Sequence, residues 1–240
     1  MFYNVIGDLK GEVYVFLHGW GADSSIFGRV IFALPKNISV LLIDFWGFGK
    51  TGEPTKSLTV YDYANETINI IDSLGITKFN IVGHSFGGRI GIIIASKLKS
   101  RVKKLILVDS AGVVPKRSLL FKLKVKRYKR IKKKVQDGKL CAGVLAKYGS
   151  DDYRVLSPVM KETFVSVVNE DLVPLAKNIE SKTYLIWGNK DKDTPLYMAK
   201  KLNKVIAGSS LYVIKDAGHY CFLDKFEDFV YYLYDSILFN

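Results

Sequence analysis

The chain has 240 residues, of which 48% are hydrophobic, 25% are charged and 13% are aromatic. This composition excludes intrinsic disorder, and the six prolines and twenty glycines exclude collagen-like or low-complexity character. The formal net charge is +13, but twelve lysines and arginines and one aspartate lie between Lys116 and Lys139, so this segment carries +11 of it. The rest of the chain is nearly neutral, and the overall charge therefore does not identify a nucleic-acid binder.

Several other classes of protein are excluded or disfavoured. No run approaches 18 uncharged apolar residues, so no membrane-spanning helix is expected. The first eight residues lack a basic region followed by an apolar one, so they are not expected to be a secretory signal. Cys141 and Cys221 lie far apart and match no CxxC spacing, which excludes a zinc or disulfide scaffold. We expect a cytoplasmic protein with reduced thiols.

Short apolar runs recur along the chain, and the first three are rich in β-branched or aromatic residues and end at glycine or a polar turn. The predicted strands are Val13–Leu17, Val40–Ile43, Phe79–Val82, Lys104–Val108, Thr183–Trp187 and Leu211–Ile214. Helices are predicted at Val60–Leu74, Gly87–Leu98 and Tyr197–Val205. Because strands and helices alternate, we predict an α/β fold with a mostly parallel central sheet and helices on both faces.

This alternation stops between about Gly112 and Lys177, where strand signals vanish and helical periodicity continues. We therefore expect a core formed by residues 1–111 and 178–240, with a helical and strongly basic insertion at 112–177 after the fourth parallel strand. Within the insertion, an apolar stripe at steps of three and four residues predicts an amphipathic helix. The stripe consists of Phe121, Val125, Tyr128, Ile131 and Val135.

The sequence Gly83-His84-Ser85-Phe86-Gly87-Gly88 follows a predicted strand and opens a predicted helix. A Gly-x-Ser-x-Gly motif in this context predicts a nucleophile elbow, in which a sharp turn holds Ser85 in a strained conformation and the glycines avoid collisions. The N-terminus of the following helix favours a developing oxyanion. Phosphate-binding turns are also glycine-rich, but their motif spacings do not occur here.

A serine nucleophile needs a base, and the chain has three histidines. His84 adjoins Ser85, but the turn is expected to direct neighbouring side chains apart. His18 and His219 both follow predicted strands, at the edge of a parallel sheet where ligands bind. His219 is favoured because it comes after an acid candidate, whereas His18 is expected to hold its own loop by hydrogen bonds.

Two aspartates in Trp187-Gly188-Asn189-Lys190-Asp191-Lys192-Asp193-Thr194-Pro195 are candidates for the acid that orients the histidine. Asp191 is favoured for this role, and Asp193 is expected to cap the helix that begins near Pro195. The predicted catalytic residues are therefore Ser85, Asp191 and His219.

Together these motifs resemble the α/β-hydrolase superfamily, which has its nucleophile, acid and histidine in this chain order. The resemblance runs from about Val13 to the C-terminus, apart from the insertion. Leu17-His18-Gly19-Trp20-Gly21 resembles the His-Gly oxyanion loop of the family, and Gly188-Asn189-Lys190-Asp191 and Ala217-Gly218-His219 match its acid and histidine motifs. Residues 44–51 resemble the Asp-x-x-Gly-x-Gly-x-Ser loop, with threonine in the last place.

The resemblance implies a serine hydrolase that cleaves carboxylic esters of small to medium, mainly apolar acyl substrates through an acyl-enzyme. It implies an oxyanion hole made by the backbone N–H groups of Trp20 and Phe86, and a loop-stabilising role for Asp44. No metal or organic cofactor is implied.

In this family, a helical insertion at this point forms a cap over the site. The side chains expected to line the acyl pocket or pack the cap are Tyr148, Tyr153, Met160, Phe164 and Val168. The basic helix has three interpretations: a solvated back of the cap, attraction to an anionic membrane surface, or attraction to an anionic ligand. Nucleic acid is disfavoured because no recognition motif accompanies the basic run.

Other functions remain open on the same fold. Arg89, four residues after Ser85, resembles an arginine of the menaquinone-pathway synthase, a lyase, although that family has tyrosine where His84 stands. The simpler interpretation places Arg89 on the helix surface. Carbon–carbon bond hydrolases and perhydrolases are further alternatives. A non-catalytic binding protein is also possible in principle, but a complete triad argues against it.

Overall fold

The centre of the molecule is a seven-stranded sheet, seen in a computed structural model that describes residues 1–147 and 151–238. The strands are β1 (Phe2–Ile6), β2 (Glu12–Leu17), β3 (Ile38–Asp44), β4 (Phe79–His84), β5 (Val102–Val108), β6 (Lys182–Gly188) and β7 (Ser210–Ile214). Their spatial order is β1-β3-β2-β4-β5-β6-β7, with β1 antiparallel to β3 and all other pairs parallel. The six predicted strands and the mostly parallel sheet are confirmed. The edge strand β1 was not predicted.

Helices cover both faces of this sheet. They are α1 (Gly28–Phe32), α2 (Val60–Ser73), α3 (Phe86–Lys97), α4 (Leu119–Gln136), α5 (Asp151–Val155), α6 (Pro158–Asn169), α7 (Val173–Ala176), α8 (Leu196–Val205), α9 (Cys221–Asp224) and α10 (Phe226–Leu238). Short 3₁₀ helices occupy Ser24–Phe27 and Ala142–Lys147. The three helices predicted from periodicity are confirmed as α2, α3 and α8.

Alternation along the strands divides the core into two layers. In β2, Val13, Val15 and Leu17 belong to the buried cluster that contains residues of α2, α3 and α8. Tyr14 and Phe16 belong to the cluster on the other face, which contains residues of α1 and α10. Successive side chains of a strand point to opposite faces, so one apolar run packs against both helical layers.

The connection from β5 to β6 holds α4 to α7 and contacts the core through backbone and side-chain bonds. The Leu58 amide donates to Thr163 Oγ1 at 3.0 Å, and the Leu172 amide donates to the Gly112 carbonyl at 2.9 Å. Met160 is buried, whereas Tyr148 lies outside the described residues. Across residues 1–147 and 151–238, every helix is too short or too polar to cross a bilayer.

Candidate active site

The side chains of Ser85, Asp191 and His219 meet at the carboxyl edge of the parallel strands. Ser85 directly follows β4, Asp191 lies in the loop after β6, and His219 lies in the loop after β7. His219 Nε2 is 2.9 Å from Ser85 Oγ, and His219 Nδ1 is 2.8 Å from Asp191 Oδ2. A carboxylate only accepts hydrogen bonds, so Nδ1–H donates to Asp191 and Nε2 is left to accept the Ser85 proton.

The turn at Ser85 is strained. Its φ of 49° and ψ of −109° lie where residues with side chains are rarely found. A Cβ on Gly83 would come 2.7 Å from the Gly87 carbonyl oxygen, and one on Gly87 would overlap the Leu17 carbonyl. The two glycines therefore let β4 turn at once into α3, which lifts the Ser85 hydroxyl toward His219.

His219 is largely buried, and its pKa reflects two opposing effects. Burial lowers the pKa, while the hydrogen bond and charge of Asp191 raise it, and the net result is a pKa above the ordinary 6.5. For Asp191, burial raises the pKa. Hydrogen bonds from His219 and Thr194 lower it by more than burial raises it, so the pKa of Asp191 lies below its ordinary value. Asp191 is therefore ionised beside the ring of His219, an arrangement that can stabilise an imidazolium.

Thr194 holds the carboxylate of Asp191 in place, a role not predicted from the sequence. Asp191 Oδ1 accepts the amides of Asp193 and Thr194 at 2.8 and 2.9 Å, and Oδ2 lies 2.6 Å from the Thr194 hydroxyl. The N-cap of α8 is Pro195, and no side chain caps that helix, so the prediction that Asp193 caps it is wrong. The loop before α8 is ordered by Asp191 instead, because its carboxylate accepts the backbone amides of the residues that follow it.

Asp109 ties the loops of the acid and the histidine together and was also missed. It follows β5 directly and is fully buried, with a positive φ of 41°. Its Oδ1 accepts the Gly188 amide at 2.8 Å and its Oδ2 accepts the Cys221 amide at 3.1 Å. Burial raises the pKa of Asp109 to about 7, although these amides act in the opposite direction. Its position directly after a predicted strand is a signal that could have indicated it.

The other two histidines have structural contacts. His18 is buried, donates from Nδ1 to the Gly19 carbonyl at 2.8 Å and accepts the Phe45 amide at Nε2, which confirms that it holds its loop. His84 Nε2 donates to the His219 carbonyl at 2.8 Å, and burial together with nearby His219 lowers the pKa of His84 to about 3. The neutral ring of His84 therefore stabilises the loop that contains His219 through this hydrogen bond.

Asp44 stabilises its loop, as the resemblance implied. Its two carboxylate oxygens accept the amides of Ser24 and Lys50, each at 2.9 Å, and its carbonyl accepts the Thr51 hydroxyl. Burial raises the pKa of Asp44, but these amide hydrogen bonds lower it below its ordinary value. Asp44 is thus an ionised acceptor that orders the loop containing residues 44–51.

The amides of Trp20 and Phe86 are available beside the serine. Among the hydrogen bonds of the described residues, none uses either N–H group. A Cβ on Gly19 would come 3.3 Å from Ser85 Cβ, so the loop that contains Trp20 lies directly against the serine. Phe86 is the first residue of α3, where backbone N–H groups have no intrahelical acceptor.

Aromatic rings surround these amides. The ring of Trp20 lies 4.9 Å from Phe48, 5.4 Å from Phe86 and 5.2 Å from Phe164, measured between centroids. Phe164 belongs to α6 and in turn lies 6.0 Å from Tyr153. The side of the site next to the serine is therefore apolar.

Arg89 is buried, so the expectation that it lies on the helix surface is wrong. Only 4% of the residue is exposed, and its Nη1 donates to the Glu170 carbonyl at 2.8 Å. Burial lowers the pKa of Arg89 to about 10, against the charges of Glu170 and Asp171. The α6–α7 connection covers this face of α3, and it supplies the carbonyl that the guanidinium needs.

One group of three potential metal ligands occurs in the described part of the chain. Ligand atoms of Asp191, Asp193 and His219 lie within 4.8 Å of one another. A metal ion there would compete with the hydrogen bond between Asp191 and His219 that orients the imidazole.

A model of the alpha/beta hydrolase fold family matches residues 13–137, just over half of the chain. The chain belongs to the alpha/beta hydrolase fold family. Sequence relatives include an Escherichia coli 2-hydroxy-6-oxononadienedioate/2-hydroxy-6-oxononatrienedioate hydrolase, 26% identical over 87% of this chain and 81% of that protein. A human serine hydrolase-like protein is 33% identical over 43% of this chain and 52% of its own length.

Solved structures of alpha/beta hydrolases superimpose on almost the whole chain. An esterase from Exiguobacterium antarcticum has a TM-score of 0.75 and 25% identity, and the match covers 98% of this chain and 94% of that one. The enol-lactonase from Burkholderia xenovorans has a TM-score of 0.76, 22% identity and coverages of 98% and 95%, which shows the common fold. Most of the named homologues are hydrolases.

The His219 pKa is expected to fall in the variant Asp191→Asn, because the substitution removes the charge and the hydrogen bond that raise it. The imidazole of the wild type should titrate above 6.5 and that of the variant at lower pH, as followed by NMR of the ring protons. Asp193→Asn is the control: it removes an exposed carboxylate that raises the His219 pKa through its charge, after the larger contributions of Asp191, so its shift should be smaller. Equal shifts in both variants would contradict the arrangement.

The burial of Asp109 predicts a specific dependence of stability on pH. Its pKa is raised from 3.8 to about 7, so between these values the folded protein binds more protons than the unfolded chain and its free energy of unfolding falls as pH rises. Asp109→Asn removes this contribution. As pH rises from about 4 to about 7, the free energy of unfolding of the variant should therefore increase relative to that of the wild type. Chemical denaturation at several pH values measures the difference, and a gap that is constant across this range would refute the assignment.

Proposed function

We propose that this protein is a serine hydrolase that cleaves carboxylic esters of small to medium, mainly apolar acyl groups. The observation that carries the proposal is the continuous chain of hydrogen bonds from Ser85 Oγ through His219 to Asp191, at 2.9 and 2.8 Å. Ser85 lies in a strained turn at the N-terminus of α3, and its hydroxyl is within hydrogen-bonding distance of His219, which can act as the base.

In the first half of the proposed reaction, Ser85 Oγ attacks the carbonyl carbon of the ester while His219 Nε2 takes the hydroxyl proton. The carbonyl electron pair moves onto oxygen, and the resulting oxyanion accepts hydrogen bonds from the amides of Trp20 and Phe86. The tetrahedral intermediate collapses, the bond to the alcohol oxygen breaks, and His219 gives its proton to the departing alcohol. The acyl group is then bonded to Ser85.

In the second half, water attacks the acyl-enzyme and His219 accepts a proton from it. Collapse returns that proton to Ser85 Oγ and releases the carboxylic acid. Asp191 stabilises the imidazolium at each stage and remains ionised, in keeping with its lowered pKa.

Support for an apolar acyl group comes from the rings beside the serine. The ring of Trp20 lies within 5.5 Å, between centroids, of the rings of Phe48, Phe86 and Phe164. Apolar walls with a few convergent polar groups are typical of small-molecule sites. The similarity to an esterase over most of both chains is consistent with this substrate class.

We further propose that residues 112–177 form the cap of this site. Phe164 of α6 contacts the ring of Trp20 in the proposed oxyanion loop. Met160 lies against Gly47, where an added Cβ would overlap the methionine side chain. Through these two residues, the α6 helix would form one wall of the proposed site.

The second candidate is hydrolysis of a carbon–carbon bond next to a ketone. It is favoured by the Escherichia coli relative, whose named substrates are oxo-dienedioic acids without an ester linkage and whose similarity covers 87% of this chain. Such chemistry would use the same serine, histidine and oxyanion amides.

Ser85→Ala should abolish labelling by a fluorophosphonate probe and lower p-nitrophenyl ester turnover at least about 10³-fold, because the nucleophile is lost. Ser96→Ala, near the other end of α3, removes a hydroxyl that donates to the Ile93 carbonyl within the same helix and is the matched control. Retained labelling of the Ser85→Ala protein would refute the proposed nucleophile. A wild type that is neither labelled nor active would indicate a binding protein on this fold.

The two reactions are separated by a substrate panel. We expect kcat/KM for p-nitrophenyl acetate, butyrate or octanoate to exceed that for a 2-hydroxy-6-oxo-dienoate by at least about tenfold, since the described lining is apolar. If kcat/KM were higher for the dienoate and Ser85→Ala were inactive on it, the proposed triad would stand, and the proposed reaction would be hydrolysis of a carbon–carbon bond and not of an ester.

A further inference from the structure

Helix α4 exposes apolar and basic side chains on the same face. Leu119, Leu120 and Leu123 are 78%, 72% and 62% exposed, although leucine is among the residues most often buried. Within Leu119–Gln136 the sequence holds nine lysines and arginines and neither aspartate nor glutamate. Exposed leucines amid this density of positive charge are not explained by ester hydrolysis.

The opposite face of α4 is the one that packs on the protein. Val125, Tyr128, Ile131 and Val135 are half-buried, and Tyr128 shares a side-chain hydrogen bond with Tyr153. Tyr153 lies against Phe164, which contacts Trp20. The inner face of α4 is therefore connected to the wall of the candidate active site. It holds four of the five residues of the predicted stripe, and the side chain of the fifth, Phe121, lies outside what the structure describes.

The outer face of α4 is defined by the exposed leucines and by the basic residues that share their side of the helix. At 3.6 residues per turn these side chains span about 140° of the circumference, opposite the half-buried stripe. All of them are exposed. The outer face consists of Leu119, Leu120, Leu123, Lys126, Arg127, Arg130, Lys133 and Lys134.

We propose that the outer face of α4 docks on the surface of an anionic lipid bilayer. The basic side chains complement the negative headgroups, and the three leucines, grouped in the first turns of the helix, enter the boundary between headgroups and acyl chains. Lysine and arginine have long apolar stems, so they can stay at headgroup level while neighbouring leucines go deeper.

A nucleic-acid partner would use only half of this surface. Phosphates would complement the basic residues, but they offer nothing to three leucines that stay in water beside them. A bilayer satisfies both groups at once. This inference goes beyond the proposed function and does not depend on it, because docking requires neither Ser85 nor turnover.

The test is sedimentation of the full-length protein with vesicles of phosphatidylcholine, alone or with about 30 mol% phosphatidylserine, at about 50 mM salt. Binding to the anionic vesicles should be at least about tenfold stronger and should weaken as salt is added. Lys126→Glu/Arg130→Glu/Lys133→Glu should lower binding at least about tenfold. The matched control, Lys200→Glu/Lys201→Glu/Lys204→Glu on α8, reverses three exposed lysines and should bind within about threefold of the wild type.

A second variant distinguishes insertion of the leucines into the bilayer from electrostatic attraction of the basic residues to its surface. Leu119→Ser/Leu120→Ser/Leu123→Ser keeps every charge, and at about 0.5 M salt it should detach fully while the wild type stays partly bound. Thermal unfolding checks that each variant is folded. Absence of binding to anionic vesicles at low salt, or equal losses in the α4 and α8 variants, would overturn the proposal. So would tighter binding to duplex DNA than to vesicles with no effect of the leucine substitutions, which would indicate a nucleic-acid surface.

Discussion

The candidate site depends on the loops after β6 and β7 being held together beside the end of β5, and the carboxylate of Asp109 joins them. One oxygen accepts an amide at the end of β6 and the other accepts an amide at the start of α9, just after His219. Both loops are also joined directly, because the Lys190 amide donates to the Ala217 carbonyl at 2.8 Å. A shift of either loop would break buried hydrogen bonds, which cost more to lose than they contribute when made. The distance from Asp191 to His219 is therefore set by the backbone around it.

Polar burial close to the serine has a common pattern. His84, Arg89 and Asp109 are all nearly inaccessible, and each uses a backbone group of a neighbouring loop as its partner. His84 contacts the histidine loop, Arg89 the α6–α7 connection and Asp109 the loop of the acid. Burying such groups is unfavourable unless the partner is in place. Their burial thus makes the folding of the sheet edge and the placement of the surrounding loops one cooperative event.

Much of this architecture could be predicted because the sheet is buried on both sides. Runs such as Val13–Leu17 are apolar throughout and stand out from the sequence, whereas four of the five residues of β1 are exposed and carry no such pattern. The nucleophile turn was predictable because its glycines are required by local geometry. The burial of Arg89 was not, since a lone cation in a helix gives no sign of the carbonyl that Glu170 brings from 81 residues away. Thr194 and Asp109 were missed for the same reason: their contacts are made by tertiary structure.

The excess positive charge of the chain and the residues of the candidate site lie in different parts of the sequence. Nearly all of the excess positive charge lies between β5 and α5, while the core that holds Ser85, Asp191 and His219 is close to neutral. A cationic field spread over the core would act on the ionised Asp191 and lower the pKa of His219. Concentrating the basic residues on and around α4, where solvent and salt screen exposed side chains, limits that influence to short range. The proposed docking of α4 on an anionic surface would therefore leave the pKa of His219 to be set by its carboxylate partner, Asp191.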